Sequence, residues 1–223
     1  IKGGGLYIVN TKGEKTVTIS NSRIQNAGSG IGGGLYIINS NVNLHNLKTF
    51  NNTVRTIEIL VENIPLTVFG YGGGLYVDKN SILTISDSEF NYNTSNNING
   101  GGGGGGIYTI DSKIIITNSD IIGNQTIGDD ESGGGIYLTK SNAENSGVSI
   151  IKNCRITDNK SNFASAIFAN EGVKLQLLRS IIDSNHTTGE SGGTIYVKGA
   201  ILSIINSIIT KNTYSNDVSP SGG

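Results

Sequence analysis

The sequence predicts an all-β fold, a right-handed parallel β-helix of about seven coils with roughly 28–32 residues in each. Three observations carry that prediction. A glycine-aromatic motif returns at near-constant spacing, a second motif with a fixed asparagine follows each copy, and the composition favours strands and turns over helices.

The first motif is Gly3-Gly4-Gly5-Leu6-Tyr7. It recurs as Gly32-Gly33-Gly34-Leu35-Tyr36, Gly72-Gly73-Gly74-Leu75-Tyr76, Gly104-Gly105-Gly106-Ile107-Tyr108 and Gly133-Gly134-Gly135-Ile136-Tyr137. Degenerate copies end in Ile167-Phe168 and Ile195-Tyr196. Successive aromatic residues stand 29, 40, 32, 29, 31 and 28 positions apart. The 40-residue interval, from Tyr36 to Tyr76, holds an insertion or lateral hairpin at 54–70.

The second motif reads apolar-x-apolar-x-Asn/Asp-Ser-x-Ile-x-x-Asn. Leu83 to Asn93, Ile114 to Asn124 and Leu202 to Asn212 follow it closely. Leu175 to Asn185 carries Arg179 at the Asn/Asp place, and Ser149 to Asn159 carries Cys154 at the Ser place. In the copy after Tyr36, Lys48 falls at the Ser place and Thr53 at the Asn place.

Each repeat thus contains three short strands with period-two alternation: after the glycines, before the Ser, and around the Ile. Turns of Gly, Asn, Asp and Ser separate them. Thirty residues of this kind cannot bury an apolar face alone. Stacked at ~4.8 Å, successive coils pair edge to edge and share one core. Parallel crossovers are right-handed with few exceptions, which sets the expected hand. The inward rows are Val17, Leu83, Ile114, Leu175 and Leu202; Ile19, Ile85, Ile116, Ile151, Leu177 and Ile204; and Ile24, Phe90, Ile121, Ile156, Ile182 and Ile209. Asn93, Asn124, Asn159, Asn185 and Asn212 form a ladder at a turn.

The Gly-Gly-x-Ile/Leu element followed by Phe/Ile-x-x-Asn resembles the repeats of the polymorphic outer-membrane proteins of chlamydiae. More broadly it resembles the pectin-lyase-like β-helix superfamily. The motifs that carry the likeness are Gly134-Gly135-Ile136-Tyr137 with Ile156-Thr157-Asp158-Asn159, and Phe90-Asn91-Tyr92-Asn93. The likeness covers nearly the whole chain. It implies a surface-exposed or secreted passenger region, often adhesive. The chain opens inside a glycine motif and closes on Ser219-Pro220-Ser221-Gly222-Gly223, which resembles the start of another, so 1–223 reads as one β-helix unit, expected to be a window from a longer repeat protein with flanking repeats of the same chain as its partners.

Charge and composition exclude some classes. Sixteen basic and 17 acidic residues give a net charge of −1, so there is no electrostatic footprint for nucleic acid. No apolar run is long enough to span a membrane. One cysteine leaves no internal disulfide framework. No metal or cofactor is expected, because His45 and His186 lack ligand spacing and the glycine run 100–106 lacks the Lys-Ser/Thr of a phosphate loop.

Three constellations remain. Strand alternation turns Tyr7, Tyr36, Tyr76, Tyr108, Tyr137, Phe168 and Tyr196 outward as one stripe, either simple coil stacking or a face for a protein or glycan partner, including self-assembly. Sequons stand at Asn51, Asn93, Asn124, Asn159 and Asn185, about the number the Asn, Ser and Thr content gives by chance. Asp158 and Asp183, with Arg155 and Arg179 nearby, are the best acid pair for a polysaccharide lyase or hydrolase; Asp129-Asp130-Glu131 reads as a solvated acidic loop tip. The leading expectation is a non-catalytic extracellular structural or adhesive protein, not an enzyme.

Overall fold

The computed structural model describes residues 2–11, 13, 15–61, 64–97, 102–128, 132–141, 147–189 and 192–215. No helix occurs among them. Strands stack in three sheets, parallel throughout, around one apolar interior. The stack is a β-solenoid of about six turns, not seven, because seven strands on one wall are separated by six coil-to-coil steps.

The first wall begins where each glycine motif ends. Its strands run in the order Leu6–Val9, Leu35–Ile38, Leu75–Asp78, Ile107–Ile110, Ile136–Thr139, Ile167–Ala169 and Ile195–Val197. Tyr36 lies in register between Tyr7 and Tyr76, and the same step repeats along the wall. Two glycines of each triplet have distinct reasons to be glycine. Gly104 sits at φ 65°, the left-handed region, and a Cβ there would meet the Ile107 carbonyl oxygen at 2.5 Å. On Gly106, a Cβ would come within 2.6 Å of the Gly135 carbonyl oxygen and 3.1 Å of the Asn124 side chain.

The second wall holds twelve strands and a bend. The strands before the Ser and around the Ile belong to this one sheet, so two of the three expected strands share a wall. The bend falls at Asn21, Asn46, Asp87, Asn118, Asn153, Arg179 and Asn206, all left-handed with φ between 47° and 54°. Asn and Asp tolerate that region best, which is why the motif carries them there. Val17–Gln25 and Asn41–Phe50 run through the bend as unbroken strands.

A third wall follows the ladder asparagines: Gly28–Ser29, Thr53–Arg55, Thr94–Asn96, Gln125–Ile127, Lys160–Ser161, His186–Thr187 and Thr213–Tyr214. These strands have two or three residues and little apolar content, so their alternation is too short to be read in the sequence.

The interior rows match the expected ones in register and are fuller, but in the last described turn Ile204 and Ile209 are 43 % and 48 % exposed, because no further strand packs over that turn among the described residues. Val42 joins Val17 and Leu83, Leu44 joins Ile19 and Ile85, and Thr49 joins Ile24 and Phe90. These pairings correct the register of the repeat after Tyr36. Leu47, not Lys48, holds the Ser place, since it lies opposite Ser22 and its N–H donates to Ser88 Oγ at 3.0 Å. Asn52, not Thr53, holds the Asn place, with its Nδ2 donating to Asn93 Oδ1 at 2.9 Å. Each fully buried Ile or Leu of these rows contributes about 1.5–3 kcal/mol relative to exposure.

Within 54–70, Ile57–Val61 pairs antiparallel with Ile64–Val68, in register from Ile57 with Val68 to Val61 with Ile64. The solenoid resumes at Tyr71, which bridges Ile31 and Gly103 in the neighbouring turns.

Candidate functional site

The aromatic row of the first wall lies outside the main core but is not an open face. Its rings stack at centroid distances of 5.0, 4.9, 5.4, 4.9, 4.7 and 5.4 Å from Tyr7 through Tyr36, Tyr76, Tyr108, Tyr137 and Phe168 to Tyr196. Interplanar angles of 4–26° make this a continuous offset stack. Tyr36 is only 2 % exposed, Tyr76, Tyr108 and Phe168 are buried, Tyr137 and Tyr196 are half-buried, and Tyr7 alone is well exposed. Ile38 is buried in the same cluster, and Ile31, Tyr71 and Ile110 pack against it.

Ring faces are thus occupied by neighbouring rings, and the middle of the row offers edges rather than a platform for a sugar. Burial is the first reason the Tyr36 phenol is pushed up to about 12, with the Asp78 and Tyr7 charges adding to it. Burial likewise raises Tyr76 and Tyr108, and the Tyr76 hydroxyl donates to Asp78 Oδ2 at 3.2 Å.

The second constellation is the inner asparagine ladder. Asn52, Asn93, Asn124, Asn159, Asn185 and Asn212 each pass a side-chain bond to the next, Nδ2 to Oδ1, at 2.9, 3.0, 3.0, 2.9 and 2.9 Å. The same Oδ1 atoms accept backbone N–H groups of the preceding residue in the row, as Asn159 Oδ1 does from Asn124 at 2.9 Å. Each Nδ2 reaches back to a backbone carbonyl one turn away, such as Phe90 from Asn124 at 2.7 Å. Asn93, Asn124, Asn159 and Asn185 are fully buried, so four of the five sequons have their acceptor nitrogen inside the fold. Asn51 differs: it is exposed, left-handed at φ 55°, and its Nδ2 donates to Asn26 Oδ1 at 2.9 Å.

The acid pair does not assemble into a site. Asp158 sits at a left-handed corner, φ 56°, and its N–H donates to the Asp183 carbonyl at 3.3 Å. Asp183 Oδ2 accepts from Ser184 Oγ at 3.1 Å. Arg155 is turned to Asp120, bidentate at 2.9 and 2.8 Å, and Arg179 Nε donates to Asn153 Oδ1 at 3.1 Å. Neither Asp158 nor Asp183 lines the surface grooves at Lys79–Lys140 and at Gln125–Thr188.

The remaining single residues have local roles. Cys154 is buried, its Sγ donating to the Lys152 carbonyl at 3.2 Å, and burial pushes its thiol up to about 11. His45 Nδ1 lies 2.9 Å from Ser86 Oγ and 3.3 Å from Asp87 Oδ2. His186 contacts Thr213 Oγ1 and Ser215 Oγ. Among the described residues no three His, Cys, Asp or Glu side chains converge. Asp129, Asp130 and Glu131, and Gly100 and Gly101 of the glycine run, lie outside the described residues.

What sequence reasoning missed is the groove at the corner between the first and second walls. Lys79, Asn80, Ile82, Asp111, Lys113 and Lys140 line it. The turn residues differ in number from coil to coil there, so no repeat signal aligns them.

Fold and ladders together define a parallel β-solenoid whose polar rows run inside it and along its corners. No protein family, curated protein or solved structure matches the chain. No helix among the described residues is long and apolar enough to cross a membrane.

Proposed function

We propose that the chain is a non-catalytic structural or adhesive protein of the extracellular space or cell surface, acting as a rigid spacer, filament component or adhesin passenger. The observation that carries this reading is the continuity of the ladders. Six inner asparagines and seven stacked aromatic residues pass from turn to turn without interruption. A glycan-cleaving site needs two acids held in a cleft that drives their pKa values apart. Asp158 and Asp183 instead serve corner and strand geometry.

The finer placement, in the pectin-lyase-like superfamily with repeats like those of the polymorphic outer-membrane proteins, draws its support from the parallel coils and the Gly-Gly-x-Ile/Leu and Ile-x-x-Asn elements. An antibody to the chain is expected to label intact, unpermeabilised cells of its source. Incubation with pectin, xylan and cellulose is expected to release neither reducing ends nor unsaturated sugars. Labelling only after permeabilisation, or product release abolished by Asp158→Asn, overturns the reading.

A further inference from the structure

The five Asn-x-Ser/Thr triplets look alike in the sequence, but the fold splits them into four and one. At Asn93, Asn124, Asn159 and Asn185 the asparagine is the buried ladder residue. Its partner two positions on is Ser95, Thr126, Ser161 or Thr187, which is buried as well. These triplets are by-products of the solenoid: a ladder asparagine, then a small polar residue in the inward row of the third wall. The fifth triplet, Asn51-Asn52-Thr53, is shifted by one residue. Its middle member, Asn52, holds the ladder place, with Nδ2 donating to Asn93 Oδ1 at 2.9 Å. Thr53 consequently pairs with Thr94, while the partner of Ser95 is Val54. A slip of one residue moves a strand position to the other face. Asn51 is accordingly exposed and Thr53 half-exposed.

The amide nitrogens divide in the same way. Asn124 Nδ2 uses both N–H groups, on the Phe90 carbonyl at 2.7 Å and on Asn159 Oδ1 at 3.0 Å. Asn159 Nδ2 donates to the Ile121 carbonyl and to Asn185 Oδ1, both at 2.9 Å. Asn93 and Asn185 are engaged by the same pattern. A substituent on any of these nitrogens displaces a buried hydrogen bond. Asn51 Nδ2 makes one bond among the described residues, to Asn26 Oδ1 at 2.9 Å. It stands at the corner between the second and third walls, left-handed at φ 55°.

We propose that Asn51 is the N-glycan attachment site of this protein, and that the other four triplets belong to the fold and take no sugar. The donor class is a lipid-pyrophosphate-linked oligosaccharide. An Nδ2–C1 bond forms to the first sugar and the C1–O bond to the pyrophosphate breaks. The leaving pyrophosphate keeps the electron pair, and Nδ2 releases one proton to solvent. One N–H remains on the nitrogen, as many as the bond to Asn26 uses. A branched glycan here keeps this corner in water, so lateral packing of solenoids uses other faces. The proposal rests on the extracellular reading, because the chain meets such a donor on the secretory route.

The native protein, isolated from its source, tests it. Treatment with peptide N-glycosidase in heavy-oxygen water labels each asparagine that carried a glycan, and peptide mass spectrometry locates the label against an enzyme-free control. The peptide holding Asn51 is expected to be labelled, and those holding Asn93, Asn124, Asn159 and Asn185 unlabelled. Thr53→Ala, expressed in the same cells, is expected to lower the label at Asn51 about tenfold or more with the β circular dichroism signal unchanged. If that variant fails to fold, Asn51→Asp, which suits a left-handed corner, replaces it and is expected to lose the mass of one glycan. Absence of label at Asn51 overturns the proposal, as does label at any of the four ladder asparagines, or a glycan at Asn51 that survives Thr53→Ala. An unlabelled Asn51 on protein that does reach the surface of intact cells fails this proposal alone. A labelled Asn51 on protein detected only after permeabilisation fails the surface reading alone.

Discussion

Asn124 shows how much one side chain can hold. Its Oδ1 accepts from the Asn93 backbone at 2.9 Å and from Asn93 Nδ2 at 3.0 Å. Its Nδ2 donates to the Phe90 carbonyl and to Asn159 Oδ1. Asn124→Ala leaves donors and acceptors unpaired inside the fold on both neighbouring turns, where each orphaned group costs about 1–3 kcal/mol. Denaturant unfolding is expected to show a loss of about 3 kcal/mol or more, and a loss under 1 kcal/mol would mean that water replaces the amide. Cys154 is the contrasting case. It stands in a row with Ser88, Ser119 and Ser180, whose hydroxyls donate to the carbonyl two residues back at 2.7–2.9 Å. Cys154→Ser is therefore expected to change stability by about 1 kcal/mol or less. With its pKa raised by burial, the native thiol is expected to resist an aromatic disulfide reagent at pH 8 and to react on unfolding; rapid native reaction would show that the turn opens locally.

At the scale of the element, the aromatic row tests packing against chemistry. Phe168 occupies a place in the stack without a hydroxyl, 4.7 Å from Tyr137. Tyr108→Phe is accordingly expected to keep stability within about 1 kcal/mol, while Tyr108→Ala opens a gap between Tyr76 and Tyr137 and costs about 3–5 kcal/mol by thermal melting. Tyrosine ionisation supplies a pH test. Folding holds the Tyr36 phenol above its ordinary 10.0, and Tyr76 and Tyr108 move the same way. The neutral phenol is the form the fold accommodates, so this stabilisation is whole below pH 10 and is lost as pH rises toward and beyond 12. Phenolate absorbance from these residues is expected to appear together with loss of the β circular dichroism signal. Full ionisation of every tyrosine in a chain that stays folded would contradict the burial. The first wall and the interior rows were legible because glycine triplets and alternating Ile and Leu recur at fixed offsets. Burial of Tyr36 was not, because Ile31 and Tyr71, which pack on its cluster, stand outside both motifs. The repeat after Tyr36 misaligned because Leu47 replaces Ser and Thr49 replaces Ile, although Val42 and Leu44 in their rows fix the register. The lysine groove had no periodic signature at all.

For the whole molecule, each turn touches only its neighbours, so stability is a sum of turn and interface contributions. A repeat should then be removable wherever the ends rejoin in register. Ile107 and Ile136 are direct partners on the first wall, so deleting 107–135 places Ile136 after Gly106 in the position Ile107 held. Every ladder closes again across the gap. Tyr76 meets Tyr137, Asn93 meets Asn159, Phe90 meets Ile156, and on the outer face Glu89 comes beside Arg155 in place of Asp120. The shortened chain is expected to fold with a parallel-β spectrum and a urea slope reduced by roughly one-sixth, in proportion to the surface it buries. Removing 107–117 instead sets Asn118 after Gly106 and strips that turn of its first-wall strand and of Ile114 and Ile116, so this variant is expected to aggregate or unfold. If both deletions fail, folding depends on contacts beyond nearest neighbours; if both fold equally well, the register of the ladders does not govern the stack.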